Sequence, residues 1–203
     1  MSYKHDIFIS YRRDPETLRW IKDHFVPLLS LHLGFELART PVIYLDEQIE
    51  SGSSWPLSLA RALGASRVLL PLWTANYFTS PWCTEEFGQM LRREEMLKLR
   101  TPKKPNGLII PAFIHDGSSF PAKLQYIQRF EIQSCFNPRM AKDSPRAEAL
   151  AATLATEAPA IAARIRQAPP WRKEWVATAA TGFQKAFRRQ AKAQQKVPRF
   201  TGT

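Results

Sequence analysis

Apolar residues along the chain fall into two kinds of segment, short runs and longer amphipathic stretches. Five short runs, rich in β-branched and aromatic residues, predict strands over residues 6–11, 41–46, 67–73, 107–115 and 130–133. The third run, "RVLLPLW", has no polar alternation, which is typical of a strand covered on both faces of a sheet.

The longer stretches have apolar residues three and four positions apart, the spacing of a helix with one buried face. The first covers residues 14–33, with Asp14 as N-cap and Pro15 in the first turn, and Pro27 is expected to kink or divide it. Further helices are predicted over residues 55–66 (capped by Ser54, with Gly64 near the end), 80–98 (opened by Ser80 and Pro81) and 144–167 (interrupted around Pro159).

Strands that alternate with helices predict a parallel sheet built from right-handed crossovers. We therefore expect an α/β fold, a flavodoxin-like doubly wound sheet of about five parallel strands with helices on both faces. Ligands of such folds bind at the carboxyl ends of the strands, here residues 10–14, 46–54, 73–82 and 115–120. The chain has no GxGxxG and no GxxxxGK[ST] motif for a nucleotide phosphate.

Charge is distributed unevenly along the 203 residues. The net charge is +11, and residues 171–203 carry +7 of it, with eight Lys and Arg against the single acid Glu174. The asymmetry divides the chain into a globular domain, residues 1–168, and a basic, aromatic C-terminal extension, residues 169–203.

The extension alternates aromatic and cationic side chains, and two interpretations stay open. A basic amphipathic helix would bind nucleic acid or an anionic surface. Alternatively, a last helix docks its aromatic residues on the domain and leaves its cations in water. The aromatic residues concerned are Trp171, Trp175, Phe183, Phe187 and Phe200.

Targeting signals and metal motifs are not evident in the sequence. No apolar run approaches the roughly 20 residues of a membrane span, and the N-terminus has no apolar signal region. Cys83 and Cys135 fit reduced thiols, and the four histidines have no metal spacing. These features predict a cytoplasmic protein with no metal and no transmembrane segment.

The segment "SPWCTEEF", residues 80–87, places two glutamates at the start of a predicted helix. On a helical projection Cys83 and Phe87 face the core, Glu85 points to solvent, and Glu86 lies on the flank beside Trp82. A carboxylate beside an indole suits a ribose joined to a flat ring, and its charge would stabilise an oxocarbenium-like transition state. The alternative is a surface glutamate beside a half-buried tryptophan, with no role in chemistry. Taken alone, this segment favours that alternative.

Four segments together resemble a Toll/interleukin-1 receptor (TIR) domain, from about Tyr3 to Phe136. They are "DIFISYRRD", "YLDEQIESGSSWPLSLARAL", "SRVLLPLWTANYFTSPWCTEEF" and "LIIPAFI", in the order of the family. The third box departs from the family pattern, because "CFNPR" stands near the place of the usual Phe–Trp pair.

The resemblance to NAD-cleaving members, many of them bacterial, implies an NAD⁺ glycohydrolase. The products would be nicotinamide and either ADP-ribose or a cyclic ADP-ribose. NAD⁺ would be the substrate, and no cofactor is implied. Glu86 matches the catalytic glutamate and Trp82 the residue that stacks on nicotinamide. Further substrate contacts are implied for Phe8, Ser10, Tyr11, Arg12 and Asp46.

The resemblance also implies self-association through TIR–TIR contacts. The interaction loop after the second strand would include Asp46, Glu47, Gly52 and Trp55. Bacterial members act in anti-phage defence beside a separate sensor or partner protein, which is the role implied here. The alternative is a non-catalytic TIR–TIR scaffold or adaptor module.

Overall fold

The computed structural model describes residues 2–46, 55–115, 120–124 and 126–195. Five parallel strands form one sheet in the order β2-β1-β3-β4-β5, which confirms the predicted flavodoxin-like α/β fold. The strands are β1 (His5–Tyr11), β2 (Ile43–Leu45), β3 (Ser66–Trp73), β4 (Ala112–Phe113) and β5 (Phe130–Glu131).

Alternate residues of β1 and β3 point to opposite sides of the sheet, and both sides are apolar. Helices therefore cover both faces of the sheet. Ile7 and Ile9 belong to one core cluster, whereas Phe8 and Trp73 belong to the other. The helices are α1 (Pro15–Trp20), α2 (Val26–Leu37), α3 (Trp55–Gly64), α4 (Pro81–Met96), α5 (Pro145–Arg166) and α6 (Glu174–Gln195).

The first helical stretch is divided near Pro27, as predicted. Asp14 caps α1 by accepting a hydrogen bond from the Thr17 N–H at 2.8 Å. A π-helical segment, Ile21–Phe25, then joins α1 to α2, and the Val26 N–H donates to the carbonyl of Ile21, five residues earlier. The wider turn accommodates Pro27, which has no N–H for the regular ladder.

The fourth strand is shorter than the predicted span 107–115. The Leu69 N–H donates to the carbonyl of Leu108, and the Ile110 N–H donates to the carbonyl of Leu69, so this edge of β3 faces the incoming chain. Two residues later Pro71 presents the same edge without an N–H. The ladder is therefore interrupted, and only Ala112–Phe113 forms a regular strand.

The predicted interruption at Pro159 is wrong, because α5 runs unbroken from Pro145 to Arg166. Pro159 and Ala155, whose carbonyl loses its helical donor, both lie on the solvent side. Water can solvate that carbonyl, while the buried face through Leu154 and Ile161 continues to pack on the sheet.

The chain after α5 turns back and α6 packs against α3 and α4. The Trp171 indole N–H donates to the carbonyl of Gly64 at 3.1 Å. A side chain at Gly64 would stand 2.8 Å from the Cα of Val176, so glycine there permits the close approach of α6. Among the described residues, no helix combines the length and the apolar character needed to cross a membrane.

Candidate functional site

The start of α4 lies against the carboxyl end of β1, where the Cys83 thiol donates to the carbonyl of Tyr11 at 3.3 Å. Ser80 caps the helix, since its hydroxyl accepts from the Cys83 N–H at 3.4 Å, and Pro81 occupies the first turn, both as predicted. This cap fixes the rotation of α4 and points Glu86 toward β1, at the edge where folds of this type bind ligands.

Glu86 is held by a chain of buried hydroxyl groups. The Ser10 hydroxyl donates to Glu86 Oε2 at 2.5 Å. Ser10 Oγ also lies 2.7 Å from the Tyr77 hydroxyl, which is 3.2 Å from the carbonyl of Cys83. The four groups therefore form one continuous path from the carboxyl to the backbone of α4.

This path can satisfy Glu86 in either protonation state, because each hydroxyl both donates and accepts. With Glu86 ionised, Tyr77 donates to Ser10 and Ser10 donates to the carboxylate. With Glu86 protonated, the order reverses, and Tyr77 donates to the carbonyl of Cys83. A proton can thus be gained or lost without leaving a buried hydroxyl unpaired.

Burial raises the pKa of Glu86 to about 8, because a buried carboxylate loses the solvation that stabilises its charge. The hydrogen bond from Ser10 and the charge of Arg13 lower this pKa, whereas the charge of Asp46 raises it. A carboxyl with a pKa near neutrality can change protonation during a reaction.

Arg13 and Asp46 form an ion pair beside this path, at the ends of β1 and β2. The Tyr11 hydroxyl donates to the carbonyl of Asp46 at 3.0 Å, which ties the two strand ends together. Sequence reasoning missed Arg13 and Tyr77, because no local motif indicates that they meet residues 33 and 67 positions away.

Glu86 is more deeply placed than a flank position suggests, with 5% of its surface exposed. Glu85, predicted to be solvated, is instead shielded to 21% exposure of its side chain. Its carboxylate accepts hydrogen bonds from Gln89 at 2.6 Å and Arg92 at 2.7 Å. The shielding comes from α6, whose Gly182 lies directly against the Glu85 side chain.

Trp82 packs against the C-terminal helix. Its ring stacks on Phe183 with centroids 6.2 Å apart and 20° between planes, and lies 6.3 Å from the ring of Phe187. Glu86, one turn later, has its contacts on β1. The described aromatic partners of Trp82 therefore belong to α6, whereas the hydrogen-bond partner of Glu86 belongs to β1.

The remaining predicted residues divide between core and surface. Phe8 is buried and stacks on Tyr44 at 5.0 Å. Arg12 is exposed and lines a cavity of about 190 Å³ at the carboxyl ends of the strands, together with His115. Glu86 is not among the residues that line this cavity.

Of the predicted interaction loop, Glu47 and Gly52 lie outside the described residues, and Trp55 begins α3. Asp46 is buried in its ion pair with Arg13. The structure therefore brings together Ser10, Tyr11, Asp46 and Glu86. The described contacts of Phe8 and Trp82 are aromatic, and Arg12 lines the cavity beside His115.

A sequence profile described as "TIR domain" matches residues 7–137, which is more than half of the chain. The chain belongs to the TIR domain family. The match begins within β1 and contains β2 to β5 and helices α1 to α4, whereas α5 and α6 of this TIR protein lie beyond it.

One relative of the TIR protein is the protein SUPPRESSOR OF npr1-1, CONSTITUTIVE 1 of Arabidopsis thaliana. The two are 27% identical over 118 residues, which is 58% of this chain and 7% of the relative. The TIR protein thus spans a small part of that relative's length. Among solved structures it is similar to the TIR domains of the activated Roq1 resistosome directly recognizing the pathogen effector XopQ. That match has a TM-score of 0.39 and 23% identity, and covers 76% of this chain and 84% of the other.

Proposed function

We propose that this TIR protein cleaves the nicotinamide–ribose bond of NAD⁺, with Glu86 as the catalytic residue. The observation that carries the proposal is the Glu86 carboxyl, held by Ser10 at the carboxyl end of β1. Its raised pKa and its position at the ligand-binding edge of the sheet fit a carboxylate used in chemistry better than one used for packing.

In the proposed reaction the C1′–N bond of NAD⁺ breaks, and its electron pair returns to the pyridinium nitrogen. Neutral nicotinamide leaves, and positive charge develops on the ribose. Ionised Glu86 stabilises this charge, which forms mainly in the transition state. Water then adds to C1′ and loses a proton, giving ADP-ribose, or an internal nucleophile of the substrate gives a cyclic product. Asp46 and Glu47 are the carboxylates we propose as acceptors of that proton.

Access to Glu86 requires a local change, because the carboxyl is enclosed in the single chain. The contact we expect to open is the ion pair between Arg13 and Asp46, at the ends of the two strands nearest Glu86. Self-association through TIR–TIR contacts would supply the energy for this opening. By family resemblance, we place the activity in anti-phage defence, beside a separate sensor protein.

The test measures nicotinamide released from NAD⁺ at high protein concentration, so that assembly is favoured. We expect Glu86→Gln to lower turnover by roughly 100-fold or more, the typical cost of removing one electrostatic interaction with the transition state. Glu85→Gln, the matched control at the adjacent position, should keep its activity. Wild-type turnover in Glu86→Gln would show that the assignment is wrong.

A non-catalytic scaffold is the second candidate, and the enclosure of Glu86 together with the α6 contact of Trp82 favours it. If the protein is a scaffold, light scattering should detect its assembly at protein concentrations that leave added NAD⁺ uncleaved. Catalysis in the same assembled fractions would exclude a purely structural role.

A further inference from the structure

One face of helix α6 is buried against the rest of the protein. Trp175 is 3% exposed and Phe183 is 0% exposed, and Ala179 and Ala186 complete the same buried row. Trp175 lies over the guanidinium of Arg93 at 4.3 Å, and Phe183 stacks on Trp82. The apolar side of the helix is therefore docked on α3 and α4 and is not available to a partner.

The outward face of α6 carries a row of cations. Lys185, Arg188 and Arg189 are exposed, and their spacing of three and four residues places them along one side of the helix. Position 192 continues this row by the helical repeat, and the sequence goes on with Lys196 and Arg199, outside the described residues.

These three cations differ from Arg39 and Arg92, two surface arginines that have acidic partners. Arg39 pairs with Asp6 at 2.7 Å, and Arg92 pairs with Glu85 at 2.7 Å. Within the part of the chain that the structure describes, no ion pair involves the row on α6. The acid of this helix is Glu174, about 16 Å away at its start. The row is thus a positive strip that no acid among the described residues neutralises through an ion pair.

We infer that the outward face of α6, defined by Lys185, Arg188 and Arg189, binds the phosphate backbone of nucleic acid. Neighbouring cations in the row are about 5–6 Å apart, so each long side chain can reach a separate phosphate. Each such contact releases a counterion, which makes binding favourable at low salt and independent of base sequence.

The packing of α6 argues against a membrane as the partner. A helix that binds a bilayer surface inserts its apolar face between the lipids, with cations assisting at the headgroups. Here that face is buried against α3 and α4. Phe187 remains 39% exposed, yet it lies against Trp82 rather than among the cations. Apart from Phe187, the exposed side chains around the cations are polar or small, which fits a polyanion better than a lipid interface.

The experiment uses the full chain and a fluorescein-labelled duplex DNA of mixed sequence, with anisotropy measured over a salt series. We expect K185Q/R188Q/R189Q to weaken binding roughly tenfold or more near 0.1 M salt. The slope of log K against log salt should fall in magnitude by roughly 2 to 3, about one for each phosphate that the variant no longer neutralises.

The matched control is R139Q/K142Q/R146Q, which removes one Lys and two Arg from exposed positions before and at the start of α5. It should retain wild-type affinity and slope, and both variants should keep the wild-type melting temperature. Equal reductions of affinity in the two variants would show that bulk charge alone is responsible. Absence of wild-type binding at low salt, or a preference for phosphatidylcholine vesicles containing phosphatidylserine, would overturn the inference. None of these outcomes depends on NAD⁺ cleavage.

Discussion

The Ser10 hydroxyl connects Glu86 to Tyr77 in the interior of the protein. A hydrogen bond to an ionised group contributes more than one to a neutral group, so Ser10 favours the carboxylate over the acid. This contribution opposes burial, which favours the acid. Ser10 is therefore a positioning residue that adjusts the pH at which Glu86 becomes charged.

Ser10→Ala should raise the pKa of Glu86 further above its usual value, since it removes a donor to the ionised form. If ionised Glu86 is the active form, the rising limb of the pH–rate profile should move up by roughly one to two pH units. Nicotinamide release between about pH 6 and pH 10 measures the shift. Tyr77→Phe should give a smaller shift in the same direction, because Tyr77 acts through Ser10. Profiles that superimpose on wild type would contradict this role.

The residues of the site were predictable where neighbours in sequence decide their position. The cap at Ser80 and the helical repeat place Glu86 on the side of α4 that meets the sheet. The depth of Glu86 and the contact of Tyr77 with Ser10 were not predictable, because they depend on how a turn after β3 packs against β1. Local spacing contains no information about that contact.

At the scale of elements, α6 is the feature that most changes the expected picture. Helix α6 lies outside the family match and packs on α3 and α4. Its Phe183 stacks on the ring of Trp82. The aromatic spacing of the extension was visible in sequence, but the surface that receives it was not. By contrast, Pro27 divides its helix as expected, whereas Pro159 does not. The carbonyl of Ala155, which Pro159 leaves without a donor, can reach water.

Phe183→Ala should destabilise the protein by roughly 3–5 kcal/mol, since it deletes a fully buried ring. Removal of this ring should also expose Trp82 to water and shift tryptophan emission to longer wavelength. Urea denaturation and fluorescence measure the two effects. Phe187→Ala, which removes a half-exposed ring from the same helix, is the control and should cost clearly less. Equal costs would mean that α6 is not docked through Phe183.

At the scale of the whole molecule, the stability of the fold should depend on the charge of Glu86. Its pKa is about 8 in the folded chain, compared with 4.5 for an ordinary glutamate. The folded state therefore holds a proton that the unfolded state releases. The stabilisation from protonated Glu86 is fully present below about pH 4.5 and is lost as the pH rises through about 8.

Glu86→Gln should remove this dependence, since the amide has no proton to lose in this range. Relative to the variant, wild type should lose on the order of a few kcal/mol of unfolding free energy between about pH 5 and about pH 8. Urea denaturation of both proteins at the two pH values measures the difference. Parallel changes in the two proteins would indicate that Glu86 is already ionised at neutral pH in the folded chain.

The two outer strands of the sheet are very short, three residues in β2 and two in β5. An approaching peptide would find few free backbone groups with which to extend the sheet, so ordered growth by strand addition is disfavoured. We therefore expect copies of this chain that associate to do so through side chains on helices and loops. Such assemblies should dissociate on dilution, whereas amyloid-like stacks of strands persist.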